Sequence, residues 1–250
     1  PEQIVSLNPM PRVIFKTFGT MGHDPAMLQD KTGIPVVILS YGDLVNYRAD
    51  FYESIRIMAK VMCREERGEA VITFFDGMIR DLKTRTENIP DKDRKSCYVG
   101  GISFKGPHGM QSTEPTYPPF MFTHSRNVAY QSHKAPLSHA VVAKEKIIQW
   151  DPDVIFADLA SLASDPRANA IFELQHDPAY QELRAVKSGQ VYGVLPYNWY
   201  AQNFGSVFAD AYYVGKVLYP ERFEDIDPKK KADQIYTFLV GKPVFEKMNK

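Results

Sequence analysis

Two loops carry the side chains with the most chemical reach. The first is Gly100-Gly101-Ile102-Ser103-Phe104-Lys105-Gly106-Pro107-His108-Gly109, which leaves a strand-like run. It gathers a hydroxyl, an ammonium and an imidazole on a backbone whose glycines allow close approach to a ligand. It matches neither G-x-G-x-x-G nor the phosphate loop, so nucleotide binding has no support. The second is Leu195-Pro196-Tyr197-Asn198-Trp199-Tyr200-Ala201-Gln202-Asn203-Phe204, also between a strand and a helix. Its aromatics and amides suit a flat, partly apolar ligand that needs a few hydrogen bonds.

Other reactive residue types read as structural. His124, His133 and His139 fall in one region at spacings that fit no metal site, and are expected to be solvated or core histidines. Ser103 lacks the glycine frame of a nucleophile elbow, and no Ser–His–Asp order can be assembled around it. Cys63 and Cys97 form no C-x-x-C pair. The Asp227–Lys231 charge run reads as a solvated helix start. Lys plus Arg number 30 and Asp plus Glu number 30, so no net field draws nucleic acid or an anionic membrane to the chain. A hydrophobic fraction of 44% over 250 residues excludes disorder as the main state. No apolar run approaches the roughly 20 residues of a membrane span.

The elements that must position these loops alternate between strand and helix. Arg12 to Phe18 reads as a strand. Asp24-Pro25 offers an N-cap followed by a first-turn proline, and Gly33 a left-handed stop. Ile34 to Leu39 is an unbroken apolar run, as in a parallel strand covered on both faces. Phe51, Ile55, Met58 and Met62 recur at helical spacing, and Arg64 to Arg85 contains no proline. A helix of that length rises roughly 30 Å, enough to join two lobes. Beyond Pro90, the pattern predicts a strand from Cys97, a helix over Lys144–Trp150 and a strand over Asp153–Asp158. A helix over Pro178–Val186, a strand over Gln190–Val194 and a helix from Phe204 to Leu218 follow. A last helix is capped by Asp227. The fold class is therefore α/β: two Rossmann-like lobes with parallel sheets joined by one long helix. The expected division is 1–62, a partial N-terminal lobe; 63–90, the joining helix; and 91–250, the C-terminal lobe. The chain opens at Pro1 in what reads as mid-element, which suggests a cleaved or truncated N-terminus.

Several of these segments resemble one family. Glu2-Gln3-Ile4-Val5-Ser6-Leu7-Asn8-Pro9 followed by Val13-Ile14-Phe15 is similar to an E-x-I-x-x-L-x-P-D-x-V strand entry. Glu145-Lys146-Ile147-Ile148-Gln149-Trp150-Asp151-Pro152-Asp153-Val154-Ile155 resembles a second such entry. Lys31-Thr32-Gly33-Ile34-Pro35-Val36-Val37, Asn127-Val128-Ala129, the block from Gly100 to Phe120, Leu195 to Tyr200, and Tyr212 to Phe223 add to it. Together they resemble the helix-bridged periplasmic substrate-binding proteins of ABC importers for iron complexes and cobalamin, iron(III) subgroup. The likeness covers essentially the whole chain. It departs in three places. Family members carry further strands before the position of Glu2, Asn8-Pro9-Met10-Pro11-Arg12 lengthens a turn, and His124-Ser125-Arg126 stands where the family has Gly-Gly.

The resemblance implies a binding receptor rather than an enzyme, with no cofactor and an iron(III) complex, siderophore or haem-like, as its ligand. Its partners would be an ABC permease and its ATPase, and its place periplasmic or extracellular, with or without a lipid anchor. A full-length chain is expected to be monomeric, with modest closure on binding. Tyr197, Asn198, Trp199, Tyr200 and Asn203 would line one wall of the cleft. Ser103, Lys105, His108, Ser112 and Thr113 would extend it, and Tyr41 would face them from the first lobe. Lys105 and His108 could meet an anionic ligand. Glu2 and Glu145 would dock onto arginines of the permease. Rival readings are a corrinoid or an oxyanion such as molybdate or tungstate on the same fold, and a two-lobed α/β metalloenzyme. The last lacks the expected cysteine cluster or phosphate loop.

Overall fold

Residues 1–17, 22–106, 108–131, 139–163, 169–198 and 202–248 are described by the structure, a computed structural model. The chain falls into two compact units, Pro1–Asp76 and Gly77–Lys250. The first contains α1 (Glu2–Val5), β1 (Ile14–Thr17), α2 (Pro25–Thr32), β2 (Val36–Leu39), α3 (Arg48–Val61) and the start of α4 (Glu65–Thr86). As the sequence predicts, the Asp24 carboxylate accepts from the Met27 amide at 2.9 Å and Pro25 opens α2. The helix stops on Gly33, whose φ of 67° a side chain would resist. β1 and β2 pair in parallel, Ile14 opposite Val36. α3 packs on the first turns of α4: Phe51 stacks on Phe75 at 6.1 Å, and the Tyr52 hydroxyl donates to Asp76 at 2.8 Å.

The second unit adds β3 (Ser96–Gly100), β4 (Ser112–Thr113), α5 (Pro118–Phe122), β5 (Arg126–Asn127), β6 (Ala140–Val141) and α6 (Lys144–Trp150). β7 (Val154–Asp158), α7 (Ala170–His176), α8 (Pro178–Gln181), α9 (Arg184–Lys187) and β8 (Val191–Val194) follow. The unit ends with α10 (Phe204–Leu218), α11 (Pro228–Val240) and α12 (Phe245–Met248). Its main sheet runs β5-β3-β7-β8, all parallel, and β4 pairs with β6 antiparallel. Every residue of β3 and β7 is buried, as in a sheet covered on both faces. One core cluster joins Tyr98, Ile147, Ile155, Leu174, Tyr180 and Leu183, with Trp150 half-buried against it, its ring 6.2 Å from Tyr98. Elsewhere Phe120 meets Phe156 edge-on and Phe122 stacks on Phe208, each pair at 5.5 Å. The end of α4 is tied in by charge. Arg85 holds both oxygens of Asp225, at 2.6 and 2.8 Å, and the Arg222 carbonyl at 2.8 Å.

The α/β class with parallel sheets and one long helix is as expected. Two local expectations fail. Residues 178–186 form two short helices, because Leu183 takes an extended conformation that buries its side chain while Asp151 accepts from the Arg184 amide at 2.8 Å. β2 is not covered on both faces: among the described residues its sheet has two strands, and Ile38 is 51% exposed. Successive residues of a strand point to opposite faces, so Ile38 falls on the uncovered one. No helix among the described residues is long and apolar enough to cross a membrane.

Two substitutions should separate sheet packing from helix capping in the second unit. Phe156→Ala, at a fully buried position, should cost about 3–5 kcal/mol. Asp227→Ala, which removes the acceptor for the Lys229 and Lys230 amides, should cost about 1 kcal/mol. Urea unfolding followed by circular dichroism reads both.

Candidate functional site

Parallel strands present their carboxyl ends, and the loops leaving them, to ligands in open α/β sheets. In the second unit those ends are Gly100, Asn127, Asp158 and Val194. The chain turns out of β3 at Gly101, with φ of 74°, and a Cβ there would lie 2.7 Å from that of Ala170. Ser103 then dives inward: it is fully buried, and its amide and hydroxyl donate to the Asp158 carboxylate at 3.2 and 3.3 Å. The Ser112 hydroxyl donates to the Ile102 carbonyl and that of Thr113 to the Val99 carbonyl, both at 2.7 Å. Ser103, Ser112 and Thr113, expected as lining residues, are buried and hold the loop in shape, and Ser112 also borders a cavity beside it.

The tip of the loop is where side chains reach outward. Phe104 is exposed, and Lys105 sits at φ 56° with its Nζ 5.4 Å from the Phe104 ring. A His108 ring nitrogen lies 2.8 Å from the Phe104 carbonyl. His139, just before β6, stacks on Phe104 with ring centres 4.4 Å apart and planes within 10°. Its Nε2 is 3.0 Å from the Ser112 hydroxyl, and the His108 ring is 5.6 Å away. Burial first, and repulsion from His108 second, hold the His139 pKa below the ordinary histidine value. A cavity of 280 Å³ opens beside this cluster, lined by His108, Gly109, Gln111, Ser112, Val141 and Glu173.

The loop after β8 is pinned from below. The Leu195 amide donates to Asp210 at 2.9 Å, and the Tyr197 hydroxyl donates to Glu114. Tyr197 is only 3% exposed, so it braces the loop. Asn198 pairs across a bridge with Gln202, and Asn203 caps α10 by accepting from the Ser206 amide at 3.2 Å. Trp199 and Tyr200 lie outside the described residues, as does His133. Beneath the loops three carboxyls are buried: Glu114, Asp158 and Asp210. Burial pushes Asp158 up to about 6 and Asp210 well above the carboxylate range.

The remaining expected residues lie elsewhere. Tyr41 follows β2 in the first unit and is half-buried. Glu2 is exposed on α1, and Glu145 is exposed in the first turn of α6. His124 is away from the loops, 2.9 Å from the Thr86 hydroxyl. Among the described residues no three His, Cys, Asp or Glu side chains are placed to hold a metal ion. Sequence reasoning missed Phe104 and His139 as a stacked pair, since residues 35 positions apart on separate loops show no common spacing. It also missed Asp158, although an acid ending an apolar strand was a readable signal.

The profile of the periplasmic binding protein family matches residues 2–197. The chain belongs to that family. This is a family of binding proteins, not of enzymes, and it is the family the motifs resemble. The molybdate-binding protein MolA of Haemophilus influenzae is 23% identical over 197 residues, covering 76% of this chain and 51% of its own. The iron-uptake system-binding protein of Bacillus subtilis is 21% identical over 198 residues, covering 77% and 54%. The chain thus spans about half the length of these relatives. The crystal structure of a periplasmic solute-binding protein from Veillonella parvula superposes with a TM-score of 0.71 at 20% identity, over 99% of this chain and 71% of that one. Its fold is the one described above.

Tyr197→Phe should destabilise the second unit by about 1–3 kcal/mol, because the buried Glu114 carboxyl loses its hydroxyl donor. Thermal unfolding checks the size of the loss. A change below a few tenths of a kcal/mol would show that Glu114 does not depend on it.

Proposed function

We propose that this chain is the ligand-capturing part of a solute receptor for an ABC importer, working outside the cytoplasmic membrane with a permease and its ATPase. In this reading residues 1–62 and 91–250 form two lobes, with 63–90 joining them, and Glu2 and Glu145 are the permease contacts. The ligand is an anionic iron(III) complex, siderophore or haem-like. The observation that carries this choice is the Phe104–His139 stack with Lys105 and His108 beside it. A flat π-surface flanked by a cation and a further imidazole suits an extended, charged organic chelate better than a small ion. Lys105, His108 and Asn198 meet the ligand, with Trp199, Tyr200 and Asn203 from the loop after β8. Ser103, Ser112, Thr113 and Tyr197 support them from beneath.

A second reading is an oxyanion such as molybdate or tungstate, favoured by the likeness to a protein named for binding molybdate. Isothermal titration of the full chain with a ferric hydroxamate siderophore, hemin and sodium molybdate separates the two. A ferric chelate should bind at about micromolar affinity or tighter, and Phe104→Ala or His139→Ala should weaken it about tenfold, roughly 1.4 kcal/mol. Binding of molybdate alone would transfer the assignment to the oxyanion.

A further inference from the structure

We infer that Asp158, Asp210 and Glu114 are positioning residues for the loops of the candidate site, with the charge on Asp158 deciding how tightly the loops after β3 and β7 are held to each other. The assignment rests on the proposed function only in taking these loops for the ligand loops.

Each acid grips a different part of the rim. Asp158 ends β7, and its two oxygens accept from the Ala160 amide at 2.8 Å, on its own loop, and from the amide and hydroxyl of Ser103 on the neighbouring loop. Asp210, on α10, accepts from Leu195 at the root of the loop after β8. Glu114 accepts from Tyr197 farther along that same loop. The acids are 2–3% exposed and share their surroundings. Asp158, Asp210 and Glu114 all act on the Tyr117 hydroxyl, and Glu114 and Asp158 both act on that of Tyr197. The groups that Asp158 bonds or acts on are Ser103 from the loop after β3, Tyr117 from the segment after β4, Tyr197 from the loop after β8 and Asp210 from α10, with Glu114 acting on the same two tyrosines. Among the described residues, the interactions that set Asp158 and Asp210 include no cation.

The donor sets distinguish the two aspartates. Asp158 receives three N–H or O–H donors, the set an ionised carboxylate wants. Asp210 receives one on Oδ1, and the Tyr117 hydroxyl faces its carboxyl as a second, looser donor. Burial, with the Asp158 carboxyl acting on it, favours the proton on Asp210. Desolvation favours the proton on Asp158 too, but its Ala160 and Ser103 donors favour the charged form, so Asp158 is the one poised to change state near neutral pH, with its value pushed up to about 6. Protonation turns one of its oxygens from acceptor to donor and exchanges charge-assisted bonds to Ser103 for weaker neutral ones. The loops after β3 and β7 are then less firmly joined, while Leu195 stays on Asp210.

Amide hydrogen exchange and carboxyl-carbon NMR on the isotope-labelled full chain, without ligand, test this. From about pH 8 to about pH 5, after correction for intrinsic exchange, protection of the Ser103 and Ala160 amides should fall about tenfold with a midpoint near the Asp158 titration. The Leu195 amide should not follow. Ser103→Ala should raise the Asp158 midpoint, since its hydroxyl bond favours the charged form, and Asp158→Asn should abolish the pH response. Titration of Asp158 in the ordinary carboxylate range, or constant Ser103 and Ala160 protection across its titration, overturns the proposal. If Asp158→Asn does not fold, the wild-type and Ser103→Ala titrations decide alone. None of these readings uses a ligand, so failure to bind any chelate leaves this test standing.

Discussion

The pairing of β3 with β7 is the constraint on which the second unit depends. Cys97 lies opposite Val154 and Gly100 opposite Ala157, and no residue of either strand reaches solvent. Such a pair tolerates no slip, because a one-residue shift would turn every side chain to the other face. With the register fixed, the exits of the chain at Gly100 and Asp158 are fixed as well. The candidate site is then a consequence of where two buried strands stop. The loops add side chains to a rim whose position the core has already determined.

Acidic residues are used in two opposite ways. At the surface, Asp151, Asp177 and Asp225 face Arg184, Lys144 and Arg85, and these partners hold their carboxylates below the usual range. Exposed pairs of this kind each contribute little to stability. In the interior, Asp158 and Asp210 are matched to backbone amides instead. Burial there makes each hydrogen bond count, because a buried polar group without a partner costs more than an exposed one gains.

Much of the fold was legible in local chemistry. Asp24-Pro25 with Gly33, and Asp227-Pro228, mark helix ends with residues that have few other reasons to stand together, and both helices start where those marks lie. The run Val154–Asp158 reads as a buried strand because nothing in it wants water. The break at Leu183 was not legible, since it depends on a carboxylate 33 residues away reaching the Arg184 amide. The site was legible only in part. The loop positions follow from strand ends, but the direction of each side chain does not. Ser103 and Tyr197 have the composition of ligand contacts, yet buried acids lie beneath them and draw them inward. His139 joins Phe104 through tertiary packing that leaves no trace in spacing.

The chain has two tryptophans, and their placement divides its optical properties. Trp150 packs beside Tyr98, with the Lys146 ammonium 5.6 Å over its ring. Its emission therefore belongs to the helix–sheet core and reports whether the second unit is intact. Trp199 stands in the loop after β8, among the residues assigned to the ligand. Tryptophan fluorescence thus has one source tied to the core and another in the segment proposed above to meet the ligand. Under excitation that spares tyrosine, a change in spectrum that survives replacement of Trp150 comes from Trp199.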